Sequence, residues 1–444
     1  MPMPAMALIN IHITHFPWGT FLACWAVITA KSAFADLLDP HTCSLGHHGS
    51  IPDTRPELST CPLPVDEDSA FDTGSFAPWK RRPYCVEPAQ DDAPGPQFCL
   101  YTFEPFRGDH GLSVITTPAL AASMVDALDD AVVPPNLRDH PSSSLAAEGQ
   151  SPAYVIKDVQ KRGKGLVAQR PIRKWDVVLV DYPVMIAHMD VFGAVDDDSR
   201  ADLLEQAVRQ LPETQQHEIM SLARSSGGEP IEDILKTNIF GVELGLEIPH
   251  SGLFTIGSRI NHNCNPTVFW RYSVRTLGIE VIAMRDIEVG EEITQSYVPL
   301  GLSYKDRKEG LKNWNFACTC SLCAASKSQR AASDRHRERL LDIYHELNDG
   351  ATGKGNLTES IVNELTGEME SLIHEEKLEA QQLVYYGVVA RAYMRVGELV
   401  AARKYVELCE DLWVRYAGDD QDYLAGMHQL RHELTEREKK VAIG

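Results

Sequence analysis

The chain has 444 residues, 43% of them hydrophobic, a length that suits two or three cores rather than one. Its 63 acidic against 42 basic residues leave a formal net charge of −21, which repels phosphate backbones and argues against direct nucleic-acid binding. The same charge attracts basic protein segments at long range, although keeping the chain in solution is an equally simple reason for it.

The first signal is at the start. Phe16 to Ala30 is apolar and uncharged, Lys31 follows, and Ala33-Phe34-Ala35 supplies a small-x-small cleavage pattern. An apolar run this short suits a secretory signal over residues 1–35 better than a membrane span. The expectation is entry into the secretory pathway or secretion, with no stable membrane span after cleavage; an uncleaved anchor is the alternative. Residues 36–150, rich in Pro, Asp, Ser and Gly, read as a loop-rich segment with one short helix within Pro118 to Ala131. Cys43, Cys61, Cys85 and Cys99 lie in it. They suit two disulfides in an oxidising lumen or four unpaired thiols, and spacing does not choose among the three pairings.

From Tyr154 the texture changes. Tyr154-Val155-Ile156 and Val177 to Val180 have the β-branched content of strands, joined in this reading through the Gly-containing turn Lys161 to Gly165. Asp197 to Ala223 carries helical periodicity and should break at Pro212. Strands return at Thr267 to Tyr272 and Leu277 to Ala283. Beyond Cys323 the chain reads as helices over Asp334 to Leu347, Leu357 to Ile373, Leu378 to Val396 and Leu399 to Tyr416. The last two are joined at Gly397 in a tetratricopeptide-like hairpin or an ordinary bundle. Asn356-Leu357-Thr358 is a glycosylation sequon.

Three motifs carry chemistry: Arg259-Ile260-Asn261-His262-Asn263-Cys264-Asn265-Pro266, then Gly290-Glu291-Glu292-Ile293-Thr294-Gln295-Ser296-Tyr297, then Cys318-Thr319-Cys320-Ser321-Leu322-Cys323. Cys-x-Cys-x-x-Cys can wrap one ion but leaves tetrahedral Zn2+ one ligand short; Cys264 supplies the fourth if the fold brings it near. Such a closed four-sulfur site is structural, and disulfides are the rival reading. Asn261 and His262 offer groups that suit an adenine edge. Glu291 and Glu292 read as a turn and a supporting polar network rather than an acid–base pair. Gly163-Lys164-Gly165 alone is a hairpin turn.

Together these residues resemble the SET-domain family of protein-lysine methyltransferases, particularly its fungal members. They are also similar to the SMYD branch without that branch's MYND zinc finger, since no such insertion interrupts residues 166–240. The resemblance covers roughly Tyr154 to Cys323. It implies an α+β fold: a SET β-domain over 151–300 with a knot-like core and a helical insertion at about 197–240, a post-SET zinc-binding segment at 301–330, and an all-α C-terminal region over 331–444. It implies S-adenosylmethionine as cofactor, contacted by Gly163, Lys164, Gly165, Asn261, His262, Tyr297 and Phe316, with Tyr297 as the active-site tyrosine. Thr237 to Phe240 would flank the cofactor, and Cys264, Cys318, Cys320 and Cys323 would hold structural Zn2+. The implied reaction is methyl transfer to a lysine of a basic protein segment; an inactive SET-fold scaffold is the alternative. The chain departs from the family motif at Thr267, where Asn is usual, and at Asn263, where Ser is usual.

Overall fold

The computed structural model describes residues 78–443 apart from 80, 88–95, 109, 144–146, 148, 150, 245–247 and 419–424. The expected signal segment, Cys43 and Cys61 lie outside the described residues. The first strands are β1 (Tyr84–Val86), β2 (Phe98–Phe103), β3 (Leu112–Thr116), β4 (Tyr154–Val159) and β5 (Gly163–Ala168). They are followed by β6 (Val177–Asp181), β7 (Met185–His188), β8 (Ile239–Leu244) and β9 (Ile248–Leu253). The last are β10 (Asn261–His262), β11 (Val268–Tyr272), β12 (Ile279–Ala283) and β13 (Glu292–Gln295). They form three sheets, ordered β1-β2-β3-β7-β9-β8, β10-β13-β5-β4 and β11-β12-β6.

The loop-rich expectation for residues 36–150 fails over 84–116, where three strands extend the largest sheet through a parallel pairing of β3 with β7. The strands escaped notice because they do not alternate. Phe98 to Thr102 and Leu112 to Thr116 are buried throughout, and strands covered on both faces read as plain apolar runs. The short helix is present at Pro118–Ser123, capped by the Thr117 side chain and continued in 3-10 turns. Cys85 and Cys99 are register partners on β1 and β2 and form a disulfide. Arg107 fastens this segment to the rest. Its guanidinium is fully buried, and Nη2 donates to the Ala127 and Thr276 carbonyls, each at 2.8 Å. Its charge is met by the Asp130 carboxylate, 3.0 Å from Nη1, as a buried cation requires.

A second correction concerns pairing. Tyr154–Val159 and Val177–Asp181 stand in different sheets; β4 pairs instead with β5, from Tyr154 opposite Ala168 to Val159 opposite Gly163. The Gly-containing turn therefore opens a strand of its own. The helical insertion is as expected, with helices Asp197–Arg209 and Glu213–Met220 separated at Pro212 and a third at Pro230–Asn238. Leu203, Leu204, Ala207, Leu211, Ile219 and Leu222 bury one face against the large sheet.

The C-terminal helices run over Lys327–Ala351, Glu359–Glu376, Gln382–Val396, Leu399–Ala417 and Ala425–Ile443. Gly397 takes φ 90° between the third and fourth, a left-handed turn that glycine adopts without a side-chain clash. The helices build their own core, which Phe269 and Ile282 of β11 and β12 enter. The Tyr416 ring packs 4.7 Å from Phe269 and 5.2 Å from Trp175. No helix among the described residues is long and apolar enough to cross a membrane.

The seam between the N-terminal strands and the large sheet contains neutral histidines. His250 of β9 is fully buried, and its Nδ1 donates to the Ile248 carbonyl at 2.9 Å. Nε2 therefore accepts from the Thr116 hydroxyl of β3, also at 2.9 Å. Burial pushes its pKa down to about 4, and the neighbouring His188 adds to the effect. Unfolded, the imidazole would protonate near its ordinary 6.5. Between those values the unfolded chain binds the extra proton, so stability falls as pH falls. His250→Asn keeps a donor to Ile248 and removes the titration, while other buried groups such as Asp181 are common to both proteins and cancel. Denaturant titrations at pH 6.5 and pH 4 should show the wild type losing about 3 kcal/mol more than the variant; parallel losses would refute the assignment.

Candidate active site

A cavity of 620 Å³ opens where the four-stranded sheet, the helical insertion and the tail from Trp314 meet, within the range of small-molecule sites, ~300–1,000 Å³. Gly163, Lys164, Asn261, His262, Tyr297 and Phe316 all line it, as do Thr237 to Phe240. Gly165 is not among its lining residues. It lies beneath Asn261, where a Cβ would meet Asn261 Nδ2 and Val159 Cγ2 at 2.8 Å each and Glu292 Oε1 at 3.0 Å. Its role is close approach of backbone to side chain, which only glycine permits here.

The site is organised by β10 lying parallel to β13, with Asn261 opposite Thr294 and His262 opposite Gln295. Asn263 N donates to Gln295 O at 2.7 Å and extends the ladder. The two departures from the family motif are both accommodated. Thr294 N donates to Thr267 Oγ1 at 2.8 Å while Thr267 N donates to Thr294 O at 2.9 Å, so the threonine hydroxyl meets the strand's need for an acceptor. Asn263 Oδ1 accepts from Asn265 N at 2.9 Å, a turn that Asn makes readily. Beneath the preceding 3-10 turn, Gly257–Arg259, the buried Asp181 carboxylate accepts from Gly257 N at 2.7 Å and Ile256 N at 3.1 Å. Burial raises its pKa to about 7 against these bonds.

Several side chains do other work than their motif suggested. Asn261 Nδ2 donates to Glu292 Oε1 at 2.9 Å and to Lys164 O at 3.3 Å. His262 Nδ1 accepts from Tyr297 N at 2.9 Å, and Nε2 lies 3.2 Å from Cys264 Sγ. These contacts use the Asn261 amide nitrogen and both His262 ring nitrogens within the protein. Glu292 also holds Arg162 at 2.7 Å, and Arg162 donates to the His262 carbonyl. Glu291 accepts from Glu288 N and pairs with Arg285. The supporting-network reading of both glutamates stands.

Tyr297 Oη donates to the Ile260 carbonyl at 3.0 Å. Gln295 Nε2 donates to the same oxygen at 3.3 Å. Burial raises the tyrosine's pKa well above its ordinary value, Arg162 working against the shift, so the hydroxyl stays protonated at neutral pH. The sequence reading did not single out Trp314, whose ring packs 5.2 Å from Tyr297 and whose Nε1 donates to Thr237 O at 3.1 Å. Its lack of motif context hid it. Asn315, at φ 52°, then turns the chain so that Phe316 comes within 6.0 Å of His262 and 6.3 Å of Tyr297. Arg259, from the first motif, also lines the cavity, and nothing in the sequence signalled that Lys161, Arg162 and Arg224 would join it and Lys164 there.

The four cysteines converge. Their sulfurs lie within 4.8 Å of one another, with Cys264 Sγ 3.8 Å from Cys318 and 3.5 Å from Cys323. All four are unbridged thiols in this structure. A tetrahedral site with ~2.3 Å metal–sulfur bonds has sulfur–sulfur edges of about 3.8 Å, and the cluster fits it. Bonds among the thiols, Cys318 first, raise the Cys264 pKa; all four ionise together only around a cation.

With this geometry in place, comparisons with known proteins become informative. Residues 163–298 match the family model of the SET domain. Histone-lysine N-methyltransferase set5 of Schizosaccharomyces pombe is 37% identical over 99 residues, 22% of this chain and 31% of that protein. Histone-lysine N-methyltransferase SET5 of Yarrowia lipolytica is 33% identical over 146 residues, 30% of this chain and 32% of its own length. Histone-lysine N-methyltransferase ATXR2 of Arabidopsis thaliana is 36% identical over 80 residues, 18% of this chain and 17% of its own. The chain thus spans about a third or less of the length of these relatives.

The cluster makes a direct prediction. The purified full chain should carry close to one zinc per molecule by elemental analysis, and Cys264→Ser or Cys323→Ser should release it to a chromophoric chelator. A metal-free chain that remains folded would overturn the site.

Proposed function

From the premise that residues 163–298 form a SET domain, we propose that the protein binds S-adenosylmethionine in the cavity between Gly163 and Phe316 and methylates lysine side chains of a protein substrate. The observation that carries this reading is convergence: the Gly163-Lys164 turn, the Asn261-His262 pair, Tyr297 and Phe316 come from four separate stretches of chain and line one cavity.

S-adenosylmethionine supplies a methyl group already activated on a sulfonium centre. What the chain must add is position and desolvation. Phe316, whose ring is 41% exposed at the cavity, and Trp314 offer apolar faces that suit an adenine ring. The basic lining suits a carboxylate. Tyr297, its proton committed to the Ile260 carbonyl, presents lone pairs that can accept from an amine. An apolar, aromatic surrounding disfavours the ammonium form of a lysine and favours the neutral nucleophile. Alignment of the reacting groups would supply most of the acceleration. Cys264, Cys318, Cys320 and Cys323 would hold zinc and keep the tail over the cavity.

The lysine class of substrate comes from the relatives' names, and the net charge of −21 supports a basic segment around the target lysine. The apparent signal at residues 1–35 and the Cys85–Cys99 bridge support action within the secretory pathway.

Isothermal titration of S-adenosylmethionine into the full chain should give saturable binding that Asn261→Ala abolishes. Tyr297→Phe should retain binding but lower methyl transfer to basic peptides on the order of 10²-fold, the scale of a lost alignment. No binding by a folded, zinc-loaded protein would favour the scaffold alternative.

A further inference from the structure

His262 stands between the two halves of the site, and the position of its proton can be deduced. The ring is 3% exposed. Its Nδ1 lies 2.9 Å from the backbone nitrogen of Tyr297. A peptide N–H can only donate, so Nδ1 is the acceptor and carries no proton. The neutral ring then carries its proton on Nε2, and Nε2 lies 3.2 Å from Cys264 Sγ. The N–H therefore points at the sulfur. A metal held by four cysteines would fix the position of that sulfur. Groups that donate to or accept from a metal ligand in this way fix its orientation and tune its affinity. Here the far side of the same ring is fastened to the residue whose hydroxyl lies 3.0 Å from the Ile260 carbonyl.

We infer that His262 is a positioning residue that fastens the Tyr297 peptide to the Cys264 thiolate, so that metal loading of the four-cysteine cluster sets the orientation of the Tyr297 ring. With metal bound, the Nε2–H···S bond is at its strongest and holds the imidazole plane. The plane in turn holds Tyr297 N–H, two residues beyond Gln295, the register partner of His262. With metal removed, the Cys264 side chain is no longer fixed by a metal bond, and the Nε2···Sγ contact can shift. The pair thus divides its contacts: Asn261 bonds to Glu292, and His262 lies between the Cys264 sulfur and the Tyr297 peptide. The consequence for methyl transfer rests on the function proposed above; the bridge itself does not.

The test uses the full chain, zinc-loaded and then stripped by chelator. Nitrogen-15 shifts of the His262 ring in the zinc-loaded wild type should report a protonated Nε2 and a bare Nδ1. The opposite tautomer would overturn the inference without any variant being made. Two substitutions then divide the bridge. His262→Gln places an amide near Nε2 and loses the acceptor for Tyr297. His262→Asn places an acceptor near Nδ1 and loses the contact to sulfur. Zinc affinity, read by competition with a chromophoric chelator, should fall about tenfold in His262→Asn and stay within about twofold in His262→Gln. The ring carbon signal of Tyr297, identified by its loss in Tyr297→Phe, should shift with zinc in the wild type and no longer do so in His262→Gln. If that signal still follows zinc in His262→Gln, or if His262→Asn binds zinc like the wild type, the inference is wrong. Should either variant fail to fold, the wild-type nitrogen shifts decide. Absence of S-adenosylmethionine binding would sink the methyl-transfer reading while leaving these readouts intact.

Discussion

Two residue pairs, Asn261 beside Thr294 and His262 beside Gln295, set the spacing of everything chemical in this protein. Cys264 follows His262 by two positions and Tyr297 follows Gln295 by two, so one short parallel contact sets the separation between the cysteine cluster and the Tyr297 side chain. The contact is too short to hold itself, since two residues of ladder contribute little against the entropy of ordering them. It is held from three sides. Thr267 and Thr294 exchange hydrogen bonds behind it, Asp181 grips the turn that enters it, and Gly165 lets β5 approach close enough for Glu292 to reach Asn261.

That frame depends on the large sheet, and the large sheet depends on the segment before the SET motifs. β3 pairs with β7 in parallel, β7 pairs with β9, and β9 leads into the Asp181-gripped turn. Arg107, His250 and the apolar β2 and β3 seal this seam with buried groups whose hydrogen bonds are made inside the protein. A neutral histidine serves such a place because it donates on one side and accepts on the other, provided it stays uncharged.

The tail presents the opposite situation. From Lys312 to Ala324 no side chain is fully buried, so apolar burial contributes little to its order. Trp314 and Phe316 nevertheless come from this stretch and close the cavity. Its placement is tied to the cysteine cluster, since Cys318, Cys320 and Cys323 lie in this stretch and meet Cys264. The cavity and the four-cysteine cluster are therefore joined twice, covalently through the tail and by the Nε2···Sγ contact of His262.

Much was legible in the sequence because it is local or chemical. Helix breaks at Pro212 and Gly397 follow from backbone restrictions. The amphipathic faces of the insertion follow from periodicity, and the four-sulfur set follows from spacing together with the unmet valence of zinc. The α+β class and the family resemblance followed from motif order. Other features required the tertiary structure, because they depend on which distant segments meet. The β-structure of residues 84–116 was hidden by burial on both faces, which removes the alternation that marks a strand. The pairing of β4 with β5 rather than β6 is a matter of sheet membership, to which composition is blind. Trp314, Arg162 and Arg224 carry no motif and become part of the site only when distant segments fold together. The protonation site of His262 was decided last of all, since a ring nitrogen has no assigned role until the peptide N–H and the sulfur on either side of it are in place.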